Sequence, residues 1–155
     1  MREWIIIASA DKNWGIGFQN RLLARVPEDM RFVSGNTKGK IIVMGRKTLE
    51  SFPDGKPLPG RTNVVLTGNR NYKVDGALVV HGINELMDAV SDYNGEIYVF
   101  GGESVYRQLL NYCTKAYITR FDCEFQADSF LPCFDDLREW RLSEAGEWQT
   151  SVNGI

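Results

Sequence analysis

The sequence predicts an α/β fold in which a largely parallel sheet is covered by helices on both faces, with an antiparallel region toward the C-terminus. Three observations predict it. Short apolar, β-branched runs recur along the chain, and several lack alternation, as strands buried on both faces do. Amphipathic helical windows separate most of these runs. Late in the chain the helical windows stop and strand-like segments follow one another directly, which favours antiparallel pairing.

Each element has its own signal. Residues 3–10 form a continuous apolar run around Trp4-Ile5-Ile6-Ile7-Ala8. Residues 40–44, 62–67, 77–80, 96–100 and 116–121 give the next strands, and 140–145 reads as a more exposed, antiparallel one. A helix is expected over 27–36, where Pro27 stands at its start and Glu28 and Asp29 lie in its first turn. Residues 46–51 make a short helix. Residues 84–93 place Leu86, Met87 and Val90 on one face, and 103–111 place Val105, Tyr106, Leu109 and Leu110 likewise. Two long loops, 11–26 and 52–61, remain, and loops of that length in a compact chain are often functional.

Bulk properties narrow the function. A length of 155 residues predicts one domain spanning 1–155, and 43% hydrophobic residues suffice for its core. A net charge of −2 gives no reason to expect nucleic acid or an anionic membrane as partner. The three cysteines, Cys113, Cys123 and Cys133, have no CxxC spacing, so reduced thiols in a cytoplasmic protein are expected, with no zinc site. The N-terminal apolar run is too short for a signal peptide or a membrane span. The single histidine, His81, removes Ser-His-Asp catalysis and multi-histidine metal sites. Any chemistry must rest on carboxylates, backbone amides or a bound cofactor.

Five segments stand out. Asp11-Lys12-Asn13-Trp14-Gly15-Ile16-Gly17-Phe18-Gln19-Asn20 follows a buried strand, and its two glycines either make a plain turn or let a flat ligand approach the backbone. In Val26-Pro27-Glu28-Asp29-Met30 the acids could merely complement the helix dipole. Asp29, however, shares a helical face with Phe32 and Val33, which should be apolar-facing. Asp29 is therefore expected to look inward and Glu28 to be solvated. A carboxylate in such a pocket needs a partner, and an amidine-like pair of N–H groups on a ligand would supply one. Met44-Gly45-Arg46-Lys47-Thr48 runs from strand to helix with two cations, either an anion site or a helix start with exposed bases. Pro57-Leu58-Pro59-Gly60-Arg61 sets Arg61 on a rigid turn, suited to a carboxylate. Phe100-Gly101-Gly102-Glu103-Ser104-Val105-Tyr106 joins a strand to a helix through two glycines, without GxGxxG spacing but able to admit a pyrophosphate.

Taken in order, WGIG, PEDM, MGRKTLESF, PLPGR, NVVLT, FGGESVY and YITRFD resemble the dihydrofolate reductase family from Ile5 to about Pro132. The resemblance implies an NADPH-dependent reduction of 7,8-dihydrofolate to 5,6,7,8-tetrahydrofolate, serving one-carbon metabolism. It also implies a three-layer αβα fold with four helices and an eight-stranded sheet. The last of those strands is expected to be missing here, because the family continues past the point where this sequence stops. Asp29 would bind the pteridine and promote protonation of its N5, and Thr119 would hydrogen-bond beside it. Ile7, Met30, Val33, Lys56, Arg61 and Phe100 would complete the substrate site, with Arg61 on the glutamate tail. The cofactor would meet Ser9, Gly15, Ile16, Gly17, Asn20 and Arg21 at the nicotinamide. Arg46, Lys47 and Thr48 would meet its phosphate, Thr67, Gly68 and His81 its adenosine, and Gly101, Gly102, Glu103, Ser104, Val105 and Tyr106 its pyrophosphate. Antifolates such as methotrexate or trimethoprim would bind, no metal is implied, and a monomer is expected. Ala24 stands where the family often has tryptophan, and Val33 where an aromatic is frequent. Two other readings are open: a riboflavin-pathway pyrimidine reductase, which needs neither Asp29 nor Arg61, and a non-catalytic nucleotide- or folate-binding fragment.

Overall fold

A computed structural model of the chain describes residues 1–151. Six strands form one parallel sheet: β1 (Arg2–Ala10), β4 (Ile41–Met44), β5 (Thr62–Leu66), β6 (Ala77–Val80), β7 (Gly95–Gly101) and β8 (Cys113–Arg120), in the order β6-β5-β4-β7-β1-β8. Four helices connect them: α1 (Pro27–Thr37), α2 (Arg46–Glu50), α3 (Ile83–Ala89) and α4 (Glu103–Leu109).

Side-chain alternation along the central strands sorts the core into two layers. Trp4, Ile6, Ile41, Val43, Val64, Ile97 and Val99 face one way, onto Leu86 of α3 and Val105, Tyr106 and Leu109 of α4. Ile5, Ile7, Ile42, Met44, Val65 and Tyr98 face the other, onto Leu49 of α2 and Val33 of α1. This is the expected αβα arrangement. Among the described residues no helix is long and apolar enough to cross a membrane. All three cysteines are free thiols, and burial pushes the Cys113 thiol up to about 12.

The antiparallel pairing sits in a second, small sheet, β3-β2-β9, made of β2 (Gly15–Phe18), β3 (Arg21–Leu22) and β9 (Ser129–Phe130). Edge strand β8 runs parallel to β1. The strand expected over 140–145 does not form, and 140–151 carry neither helix nor strand. Trp140 instead donates its amide to Leu137 O at 3.1 Å and packs its ring edge-on against Phe134 at 5.0 Å. Leu142 is 82% exposed, so the segment has no second apolar contact to seat it on a sheet.

Candidate active site

The carboxyl ends of the parallel strands, where open α/β sheets bind ligands, bring most of the singled-out residues together. Register places Ser9 of β1 beside Thr119 of β8, and Met44 of β4 beside Gly101 of β7. Helix α1 crosses this end, and Thr37 is its one buried residue. Val33 packs on the sheet, while the rest of the helix's inward side, Asp29 included, is only partly covered and borders the cleft at this end.

Asp29 lies in the first turn of α1 and accepts a hydrogen bond from the Thr119 hydroxyl at 2.6 Å. Burial raises its pKa, and the bond from Thr119 opposes that shift. Asp29 is thus half-buried and partnered. Glu28 differs from expectation: it is not simply solvated but accepts a bond from the Ser151 hydroxyl at 2.7 Å. Phe32 differs as well. Val33 packs against the core, whereas Phe32 is 45% exposed and meets Tyr117 edge-on at 6.1 Å. Both belong to one turn of helix, but Val33 turns onto the core layer of β1, β4 and β7 while Phe32 turns toward Tyr117 of β8, and Met30 is exposed.

Below Asp29, the Tyr106 hydroxyl lies 3.1 Å from Ile7 O and 2.8 Å from Phe100 O. One hydroxyl proton cannot fill two carbonyls, so acceptor capacity remains for a ligand N–H. Burial pushes the Tyr106 phenol far up, which keeps it a donor. Arg61 is held on three sides: Nε on Thr37 Oγ1 at 3.1 Å, Nη1 on Pro59 O at 3.1 Å and Nη2 on Ser34 Oγ at 2.9 Å. Such bonding fixes the fork of the guanidinium while leaving its charge uncompensated. Lys56 is exposed on the neighbouring loop.

The other wall is made of backbone. The Gly45 amide donates to Gly101 O at 2.8 Å, which sets the starts of α2 and α4 side by side. Gly101 has φ +96, and a Cβ there would lie 2.4 Å from Tyr106 Cε2, so only glycine fits. A Cβ on Gly102 would stand in ordinary contact with Thr48 Oγ1, at 3.8 Å, so the glycines keep a slot between the two helix starts free of side chains. Val105 and Tyr106 turn into the core, while Ser104 stays exposed and accepts from Gln108 Nε2 at 3.1 Å. Glu103 faces away from the slot, accepting the Phe130 amide at 2.7 Å and pairing with Arg107 at 3.2 Å. Arg46 is bonded to both oxygens of Glu50, at 3.0 and 3.1 Å, and Lys47 is exposed. His81 Nδ1 lies 2.9 Å from Thr67 O, which joins β5 to the turn before α3 next to exposed Gly68.

The glycine-rich segment is not a plain turn. Gly15, Ile16 and Gly17 form β2, with Ile16 in the core, and Asn20 at φ 64 leads into exposed Arg21 of β3. Residues without a role legible in the sequence hold it there. Asp128 Oδ2 accepts the Gln19 amide at 3.0 Å, and Asp11 accepts the Gly15 amide at 2.9 Å. The available signal for Asp11 was a carboxylate at the end of a buried strand, just before a turn.

Comparison with known proteins agrees with this geometry. The family model described as dihydrofolate reductase matches residues 3–153. A dihydrofolate reductase of Staphylococcus aureus is 34% identical over 142 residues, covering 92% of this chain and 85% of the relative. One from Staphylococcus haemolyticus is 36% identical over 136 residues, covering 86% and 80%. Among solved structures, the dihydrofolate reductase from Enterococcus faecalis complexed with NADP(H) and RAB-propyl superposes with a TM-score of 0.79 at 32% identity, covering 84% of this chain and 77% of that one.

Proposed function

The chain belongs to the dihydrofolate reductase family, whose reaction is the NADPH-dependent reduction of 7,8-dihydrofolate, and on that premise we propose which residues carry the work. The observation that carries the reading is the Asp29–Thr119 pair, a half-buried carboxylate at the closed end of the cleft. Ionised Asp29 can take two N–H groups of a pteridine in a charge-assisted, bidentate bond. Ile7 O and Phe100 O, shared by one Tyr106 hydroxyl, offer further acceptors to the same ring edge. Arg61, held by Ser34 and Thr37 at the other end of α1 from Asp29, would take the carboxylate of the glutamate tail, with Lys56 as a second cation. Met30 and Val33 would supply the apolar wall between the two ends.

The cofactor fits the residues present. The slot at Gly45, Gly101 and Gly102, with amides at the starts of α2 and α4, suits a pyrophosphate. Arg46, Lys47 and Thr48 would hold a ribose phosphate; Thr67, Gly68 and His81 would flank the adenosine; Ser9, the Ile16-Gly17 backbone, Asn20 and Arg21 would border the nicotinamide. NADPH supplies the hydride, so the protein needs no nucleophile. What the chain must do is align two flat rings, exclude water and manage one proton. Asp29 would do the last: by its charge and its raised pKa it would promote protonation at N5. Free thiols suit a reducing cytoplasm.

The test follows NADPH oxidation by the purified chain with dihydrofolate and, separately, with a ribosylaminopyrimidine. Turnover of dihydrofolate that methotrexate blocks is expected. Turnover of the pyrimidine alone would assign the chain to the riboflavin pathway. Saturable binding of NADPH and methotrexate without turnover would make it a binding module.

A further inference from the structure

Asp11 is 1% exposed and takes no part in the chemistry above. It ends the run of β1, and three backbone amides converge on its carboxylate. Oδ1 accepts from Asn13 and from Gly15, both at 2.9 Å, and Oδ2 accepts from Phe125 at 3.0 Å. The first two belong to the turn into β2. The third belongs to the segment between β8 and β9, more than a hundred residues away in sequence.

Neighbouring bonds tighten the same joint. The Asp11 amide donates to Gly15 O at 3.0 Å, and the Lys12 amide to Cys123 O at 3.1 Å. Arg120 Nη2 reaches Asp11 O at 3.2 Å and Lys12 O at 3.1 Å, with its guanidinium 3.8 Å over the ring of Trp14. That stacking, with Phe134 at 5.7 Å on the same ring, holds Trp14 at φ 65, a conformation bulky residues avoid. A Cβ on Gly15 would meet Ala127 Cβ at 2.8 Å and Asp11 Oδ1 at 3.1 Å, so the joint has no slack.

A carboxylate is the side chain this joint requires. All its partners are donors, and they lie on both of its oxygens. An asparagine of the same shape keeps one acceptor and turns an NH2 group toward an N–H. It can hold the turn or the Phe125 segment, but not both.

We propose that Asp11 is a positioning residue for hydride transfer, binding β2 to the segment before β9 so that the Ile16-Gly17 backbone stands at a fixed height over the cleft. The proposal rests on the reading above that β2 borders the nicotinamide. Gly15 pairs with Phe130 and Gly17 with Ser129, so β2 and β9 form one ribbon, and Asp11 fastens the start of that ribbon to the end of β1. Asp11 contacts neither ring; its effect passes through backbone position alone. The pteridine side, built on α1, Thr119 and Arg61, makes no bond to Asp11.

The experiment uses the full chain with Asp11→Asn, and Gly15→Ala as a second way of opening the same joint. Hydride transfer is measured in single turnovers with NADPH and with its transferable-deuterium form, alongside methotrexate affinity in the absence of cofactor. Misplacing one reacting ring by a fraction of an ångström predicts a hydride-transfer rate lower by roughly tenfold to a hundredfold. The isotope effect on kcat should rise as that step becomes limiting, while methotrexate affinity is unmoved. Two results would overturn the proposal: hydride transfer unchanged in both variants, or rate and methotrexate affinity falling together with an unmoved isotope effect, as a merely structural role requires. A parent chain that turns over no dihydrofolate overturns the functional reading and this proposal with it.

Discussion

On the pteridine side of the cleft, side chains are held by side chains: Asp29 by Thr119, and Arg61 by Ser34 and Thr37. On the dinucleotide side, backbone is held by backbone, as where the Gly45 amide meets Gly101 O, or by carboxylates that accept main-chain amides, as Asp11, Glu103 and Asp128 do. The first wall depends on what each residue carries at its tip. The second depends on what certain residues lack, because a Cβ at Gly101 or Gly15 would collide with its surroundings. Removing a functional group should therefore damage one wall, and adding a methyl group the other.

The largest effect expected is that of Asp29→Asn. Loss of the group that manages the proton should lower the rate of dihydrofolate reduction about 10²- to 10⁴-fold at neutral pH. A rate equal to that of the parent would remove Asp29 from the mechanism. The same variant has a second readout. Because burial raises the Asp29 pKa above its ordinary 3.8, the folded parent holds this proton more tightly than the unfolded chain does. That stability is complete below the ordinary value and is lost as pH rises through the raised one. Asparagine does not titrate, so its melting temperature relative to the parent should climb across that window and then level off. A difference flat with pH would show that the carboxyl is not strained by burial.

Gly101→Ala should come next, and it sharpens the comparison because Tyr106 touches both walls. The new methyl group would lie 2.4 Å from Tyr106 Cε2, and φ at this residue is +96. A non-glycine residue at such a φ costs about 1–3 kcal/mol. Crowding a packed ring costs about 1–3 kcal/mol more. Urea unfolding should therefore show a stability loss of a few kcal/mol, and NADPH affinity should fall. Displacing the ring also breaks the hydroxyl bonds to Ile7 O and Phe100 O, so methotrexate affinity should fall too. Weaker NADPH binding with methotrexate binding intact would mean that the two walls are independent at Tyr106.

The pteridine wall was also the more legible in the sequence. Asp29 could be told from Glu28 by helical spacing alone, because a carboxylate and an apolar residue three or four positions on share a face. The spacing did not show which sheet residues lie beneath α1, so Phe32, expected to face apolar surroundings, meets Tyr117 edge-on and stays 45% exposed. The central strands were legible because burial on both faces leaves an uninterrupted apolar run. The small sheet was not: β2 contains two glycines, β3 and β9 have two residues each, and residues at positive φ such as Trp14 and Gln19 carry no local signature. Residues 140–145 had strand-like alternation, but Trp140 found an aromatic partner in Phe134 rather than a sheet edge. Asp11 stands in the glycine-rich segment without a role legible in the sequence, for a related reason. Its three partners are backbone amides, and an acceptor of backbone amides leaves no pairing residue in the sequence to reveal it.

The smallest effect concerns the one part of the dinucleotide wall where a side chain, rather than a methyl group, is at issue. Arg46 is the cation proposed for the ribose phosphate, yet both oxygens of Glu50 engage it one helical turn away. Tyr72 stands against this pair, its phenol raised by burial and then by the Glu50 charge. Exposed pairs at this spacing contribute about 0.3–0.5 kcal/mol, so Glu50→Gln should cost no more stability than that. It also frees Arg46 and removes a negative charge beside the phosphate, which should tighten NADPH binding about twofold at low salt, an effect screened as salt rises. NADH has no phosphate at this position, so its affinity should not change. A parallel gain for both nucleotides would show that Glu50 acts on something they share. No gain for either would place the phosphate with Lys47 and Thr48, and would leave Arg46 as a helix-surface residue whose partner is Glu50 alone.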